Sequence, residues 1–171
     1  AHLDASVGQL LRQLDDAKFA EHTIIFFTSD NAAPRDGLCD PAFFASNGPF
    51  RGVKGDLTEG GLRVPLLVRW PKHIRAGVVS DLTEHIDVPA TITDLMGLDP
   101  LPVQHGQSLK PYLEGKQPPK PRQHIFSQYL ENEEVFTADA DWKFIFGSGR
   151  RKRTDGYETD NPTPGREIKL F

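Results

Sequence analysis

The chain has a single cysteine in 171 residues. A lone thiol excludes an internal disulfide framework and a cysteine-rich zinc site, and leaves the redox compartment open. No run of about 18 apolar residues occurs, so the sequence offers no candidate membrane-spanning helix. The six histidines include no pair at the His-x-x-x-His spacing of a metal-binding helix. An excess of positive charge is missing too: a formal net charge of -4 and a pI near 5.9 argue against general nucleic-acid binding. These residues hold no initiating methionine and no signal-peptide pattern, an absence that is uninformative in a chain starting at Ala1. Residue 1 falls inside a helical pattern, so the native N-terminus is expected to be missing. No internal repeat is present.

What remains has a globular composition, 37% hydrophobic and 26% charged, and the length of one domain with room for one core. Residues 4–17 read as an amphipathic helix, with Leu3, Val7, Leu10, Leu11 and Leu14 at helical spacing. Residues 23–27 form an apolar run too short for a helix, the signature of a strand buried on both faces. Helix then buried strand is half of a βαβ unit, which predicts an α/β fold with further strands outside these residues.

Residues 32–50 are loop-like, and 62–70 hold a second strand that ends at Pro71. Asp87 is placed to cap a helix running to Met96, with Pro89 in its first turn and Gly97 as its stop. Ile86, Ile92, Leu95 and Met96 would be its buried face. A short helix at 108–113 stops at Gly115. After Pro118, Pro119 and Pro121 the pattern changes to short strands at 124–130, 135–138, 142–146 and 168–171.

Two segments bear chemistry. The run Ile24-Ile25-Phe26-Phe27-Thr28-Ser29-Asp30-Asn31 ends a strand in a carboxylate and a carboxamide. Ligands of α/β proteins bind at such carboxyl ends, and oxygen donors suit a hard cation. Asp and Asn are also common turn formers, so the dipeptide alone leaves a plain turn open. The second segment is Arg51-Gly52-Val53-Lys54-Gly55-Asp56-Leu57-Thr58-Glu59-Gly60-Gly61-Leu62-Arg63-Val64-Pro65. Flanking glycines let its backbone bring Lys54, a compact cation with three donors, close to a tetrahedral oxyanion.

These segments, with Val68-Arg69-Trp70-Pro71 and Glu84-His85-Ile86-Asp87-Val88-Pro89-Ala90-Thr91-Ile92, closely resemble the sulfatase family within the alkaline-phosphatase-like superfamily. The likeness runs in order from the first helix to about Leu113, and more loosely to the end. It implies the C-terminal portion of an arylsulfatase-like enzyme. Residues 1–115 would be the C-terminal part of an alkaline-phosphatase-like α/β sandwich, and 116–171 a small antiparallel sheet with a helix.

The resemblance also implies roles. Asp30 and Asn31 would bind a divalent cation, calcium above all and magnesium as the alternative. Lys54 would bind sulfate and steady the leaving group. The substrate would be a sulfated small molecule or glycan, and the location periplasmic or secreted. Glu59, Gly60, Gly61 and Arg63 read as architectural, and His85 as a capping or packing residue. The family's nucleophile, a formylglycine made from a Cys/Ser-x-Pro/Ala-x-Arg motif, has no counterpart in these residues. Cys39-Asp40-Pro41-Ala42-Phe43 has phenylalanine where that motif needs arginine. The formylglycine is therefore expected upstream of residue 1, in an N-terminal part against which this chain packs, and the chain alone is expected to be inactive. Ala32 and Val53 stand where the family often has glycine. The basic run at 150–153 reads as a solvated loop. A phosphatase or phosphonate hydrolase of the same superfamily, and a non-catalytic sulfoglycan-binding module, are the alternatives.

Overall fold

The computed structural model describes residues 2–35, 40–129, 134–147 and 167–170. In chain order they form α1 (His2–Asp16), a 3-10 turn (Ala20–His22), β1 (Ile25–Thr28), α2 (Glu59–Leu62), β2 (Leu66–Arg69), α3 (Asp87–Leu95), α4 (Lys110–Leu113), β3 (Ile125–Tyr129), β4 (Glu134–Ala138), β5 (Lys143–Gly147) and β6 (Glu167–Leu170). They gather into two units. One comprises Ala1–Thr28, Leu66–Ser80 and Glu84–Pro121, the other Ser29–Pro65, Asp81–Thr83 and Arg122–Phe171.

In the first unit three helices stop by one device. The residue after the helical cap takes a left-handed conformation: Lys18 at φ 59°, Gly97 at 65° and Gly115 at 73°. Its N–H then bonds back to Asp15, Asp94 or Tyr112, and the next N–H to Leu14, Thr93 or Pro111. This pair of bonds satisfies carbonyls that the helix leaves orphaned. Glycine supplies the conformation freely at two of the ends, whereas Lys18 adopts it against the preference of a side chain with a Cβ.

β1 pairs with β2 in antiparallel register, Ile25 opposite Arg69 through Thr28 opposite Leu66. Arg69 reaches Asp15 of α1 at 2.9 Å, and the Trp70 indole N–H donates to the Glu21 carbonyl at 3.1 Å. Among the described residues β1 has one neighbour, β2, and Phe27 and Leu67 stay exposed. The sequence places the further strands expected beside β1 outside these residues.

The buried face of α3 also differs from the expected apolar stripe. Ile86, Ile92 and Met96 are exposed, while Asp87, Ala90 and Thr91 are buried. The reason is hydrogen bonding. Asp87 accepts from the N–H groups of Glu84 and Gln107, both at 2.8 Å, and Thr91 Oγ1 accepts from Leu109 N–H at 2.8 Å. Asp87 is thus the first residue of the helix rather than its cap, and it fastens the 106–109 segment to α3. The fit there is close: a Cβ on Gly106 would lie 1.9 Å from the Ile86 carbonyl oxygen.

The second unit contains the four-stranded antiparallel sheet β3-β4-β5-β6. The expected strands are there, each within a residue or two. Its core joins Phe136, Ala138 and Ile145 to Leu57, with Leu62, Ile125 and Tyr129 packed around them. Leu57 belongs to the glycine-rich segment, so the sheet serves as the floor on which that segment rests.

Candidate functional site

β1 delivers the chain to Ser29, whose hydroxyl donates to the Asn31 carbonyl at 2.9 Å and closes a local turn. Asn31 Nδ2 donates to Asp30 Oδ2, so the two side chains meet at one spot, Asp30 exposed and Asn31 half-buried. Ala32 is buried and has no positive φ, so alanine in place of glycine costs no backbone strain here.

The lysine segment folds from its glycines. Gly52 and Gly55 take φ 98° and 93°. Between them Val53 turns inward, 4% exposed, and Lys54 stays at the surface. Buried Asp56 accepts from Val53 N–H at 2.7 Å, which fixes the turn from within. α2 lies directly against it, and only glycine fits where they touch. A Cβ on Gly61 would be 2.3 Å from the Asp56 carbonyl oxygen, and one on Gly60 2.4 Å from that of Gly52.

The structure brings the two segments together through the backbone. Lys54 N–H donates to the Ala33 carbonyl at 3.0 Å. The Asn47 carboxamide adds a second tie, accepting from Ala33 N–H at 3.1 Å and donating to the Gly52 carbonyl at 2.9 Å. Asp30, Asn31 and Lys54 therefore stand on adjoining segments of one loop cluster.

Two supports escaped the sequence reading. Asn47 looked like any loop asparagine. Lys143 is only 8% exposed. Its ammonium donates to the Leu57 carbonyl at 3.0 Å, pairs with the Glu59 carboxylate and lies 4.3 Å from the Phe136 ring centre. The available signal was register: Lys143 is two residues from Ile145 and so on the same, buried side of β5. Glu59 also approaches Arg63, at 3.8 Å.

His85 Nε2 is 2.9 Å from Thr28 Oγ1, at the end of β1 in the first unit. Cys39 and the basic run at 150–153 lie outside the described residues. Among the described residues no cluster of three or more His, Cys, Asp or Glu side chains forms a metal cage. Asp30 and Asn31 supply hard oxygen donors of the right kind for calcium or magnesium, but two against the six to eight that calcium takes.

The family model described as Sulfatase matches residues 1–98. The chain belongs to the sulfatase family. A second model of that kind, N-sulphoglucosamine sulphohydrolase, C-terminal, matches residues 54–143. The steryl-sulfatase of Mus musculus is 37% identical over 153 residues, 84% of this chain and 24% of its own length. The N-acetylgalactosamine-6-O-sulfatase of Bacteroides thetaiotaomicron is 32% identical over 152 residues, 84% of this chain and 29% of its own. This sulfatase-family chain thus spans about a quarter of the length of these curated relatives. A solved structure from work on glycosaminoglycan metabolism by Bacteroides thetaiotaomicron superposes with a TM-score of 0.76 at 27% identity, covering 99% of this chain and 36% of that one. The phosphonate monoester hydrolase of Silicibacter pomeroyi superposes at 0.67 and 19% identity, over 98% and 32%, a likeness of fold alone. The sulfatase-family chain thus has the α/β fold of the alkaline-phosphatase-like enzymes, as its motifs suggested.

Proposed function

We propose that this chain is the C-terminal part of a sulfuric ester hydrolase, with Asp30 and Asn31 as two ligands of a divalent cation and Lys54 as a sulfate-binding residue. The observation that supports this reading most is the bond from Lys54 N–H to the Ala33 carbonyl, which couples the lysine turn to the segment bearing both oxygen ligands. Membership of the sulfatase family supports the reaction type.

In this reading the cation, once bound, supplies Lewis-acid polarisation of a sulfate oxygen. Asp30 contributes a charged oxygen and Asn31 a neutral one, and the remaining ligands come from elsewhere in the enzyme. Lys54, exposed and tied at its backbone to Ala33, offers its ammonium to the oxygens that gain charge as the S–O bond breaks. The nucleophile is a formylglycine outside these residues. The substrate is a sulfated small molecule or glycan, in line with relatives named for steryl and N-acetylgalactosamine 6-sulfates.

The test is sulfate release by the intact enzyme. Lys54→Ala should lower turnover by about 10²-fold or more, the scale of one lost transition-state donor. Asp30→Ala should make activity depend on far higher cation concentrations, and Cys39→Ser should leave it nearly unchanged. An enzyme that cleaves phosphonate monoesters but no sulfate ester, or a fully active Lys54→Ala variant, would overturn the assignment.

A further inference from the structure

The second unit holds a cavity of 530 Å³ whose lining includes none of Asp30, Asn31 and Lys54. That volume is typical of small-molecule sites. Part of the lining is the turn between β4 and β5. Asp139 Oδ1 accepts from the N–H groups of Asp141 and Trp142, both at 2.8 Å, and Asp139 N–H donates to the Trp142 carbonyl at 3.0 Å. The first two donors hold the Asp139 carboxyl below its usual range. Trp142, at the end of this hydrogen-bonded turn, is 60% exposed. Elsewhere in the lining Arg63 lies over Phe50, 4.7 Å from the ring centre. The charge of Lys143 is already engaged by Glu59 and the Leu57 carbonyl. Arg63 keeps a side chain 62% exposed and a loose contact with Glu59.

We propose that this cavity binds an anionic pyranose unit of a glycan, its ring on Trp142 and its carboxylate or sulfate on Arg63. An indole presents a broad apolar face that suits the C–H face of a sugar ring. A guanidinium is a planar fork that matches the oxygens of a carboxylate or sulfate and is pre-organised here by its stack on Phe50. Asp141, in the same lining, accepts from sugar hydroxyls. A purely apolar ligand would strip water from Arg63 and Asp141 without replacing it, which argues against one. The proposal does not depend on the reaction assigned to Asp30, Asn31 and Lys54.

Tryptophan fluorescence of the intact enzyme tests it, in a Lys54→Ala background that weakens sulfate binding at the reaction site. The probes are methyl glucuronide, methyl N-acetylglucosamine 6-sulfate, methyl glucoside and inorganic sulfate. At least one of the two anionic sugars should bind at least about tenfold more tightly than methyl glucoside or sulfate, the step worth one good contact. The tighter one names the substituent, and equal binding assigns a site for either anion. Trp142→Ala and Arg63→Lys should each weaken binding about tenfold, while Trp142→Phe keeps most of it and guards against misfolding. Trp142→Ala should leave sulfate release from a small aryl sulfate unchanged. Equal binding of methyl glucoside, unaltered binding in Trp142→Ala as followed by calorimetry, or binding that exists only with Lys54 intact would overturn the proposal.

Discussion

The Asn47 carboxamide accepts a hydrogen bond from the backbone N–H of Ala33 at 3.1 Å and, through its other end, donates to the Gly52 carbonyl at 2.9 Å. One side chain thereby spans the segment that follows Asp30 and Asn31 and the turn that carries Lys54. Its effect is positional: it touches backbone on both sides.

Asn47→Ala should therefore separate stability from chemistry. Losing both bonds costs about 1–3 kcal/mol where the partners stay half-buried. Turnover should fall by more than the shift in KM, since the lysine is displaced relative to charge that develops only in the transition state. Steady-state kinetics at a temperature well below the melting midpoint checks this. A pure KM effect would place Asn47 outside the arrangement of Lys54.

Lys143→Met keeps the aliphatic stem in the core and removes the ammonium. The Leu57 carbonyl then loses the Lys143 donor, and Glu59 keeps only its longer contact with Arg63. A loss of about 1–3 kcal/mol is expected, discounted from a fully buried pair because the Glu59 side chain is 43% exposed. Urea denaturation measures it. Glu59→Gln in the same background should add little, since the pair is already broken.

Lys18→Gly should stabilise the protein. Lys18 sits at φ 59° where the helix stop calls for glycine. Relief of the left-handed strain, roughly 1–2 kcal/mol, is offset by glycine's greater freedom when unfolded, about 0.5–1 kcal/mol. A net gain of about 0–1.5 kcal/mol follows, read as a raised melting midpoint.

Asp94 predicts a pH dependence. The Ser108 hydroxyl, and after it Lys110, hold this carboxyl below its usual range against the opposing pull of partial burial. A depressed carboxylate adds stability above its unfolded value of about 3.9, and that stability is lost as pH falls through the lower folded value. The contribution is small at so exposed a site, about 0.5 kcal/mol. The midpoint difference between wild type and Asp94→Asn should be steady at neutral pH and shrink in acid.

The elements legible in the sequence were those with local causes. Gly97 and Gly115 stop their helices because only the backbone at those positions matters, and the strands of the second sheet follow from alternation and turn residues. Lys18 went unread as a stop because lysine carries no such signal. α2 was missed since Gly60 and Gly61 are poor helix formers, kept there by the close approach of Arg51, Gly52 and Asp56. The buried face of α3 was misjudged because Asp87 and Thr91 are buried by the hydrogen bonds of a loop some 20 residues later, which periodicity cannot register. At the site, Asp30, Asn31 and Lys54 stood out by motif, whereas Asn47 and Lys143 act through carbonyls and N–H groups that every residue possesses.

The bond from Lys143 to the Leu57 carbonyl joins residues 86 apart in the chain. At about 5–20 residues per second of synthesis, the lysine emerges some 4–17 s after the turn it anchors. During that interval the glycine-rich turn lacks its floor, because Phe136, Ala138 and Ile145 are packed on Leu57 only once the sheet is made. Completion of the lysine-bearing turn therefore waits on synthesis of β5. A nascent chain halted before β5 would display an apolar, glycine-rich loop of the kind chaperones engage.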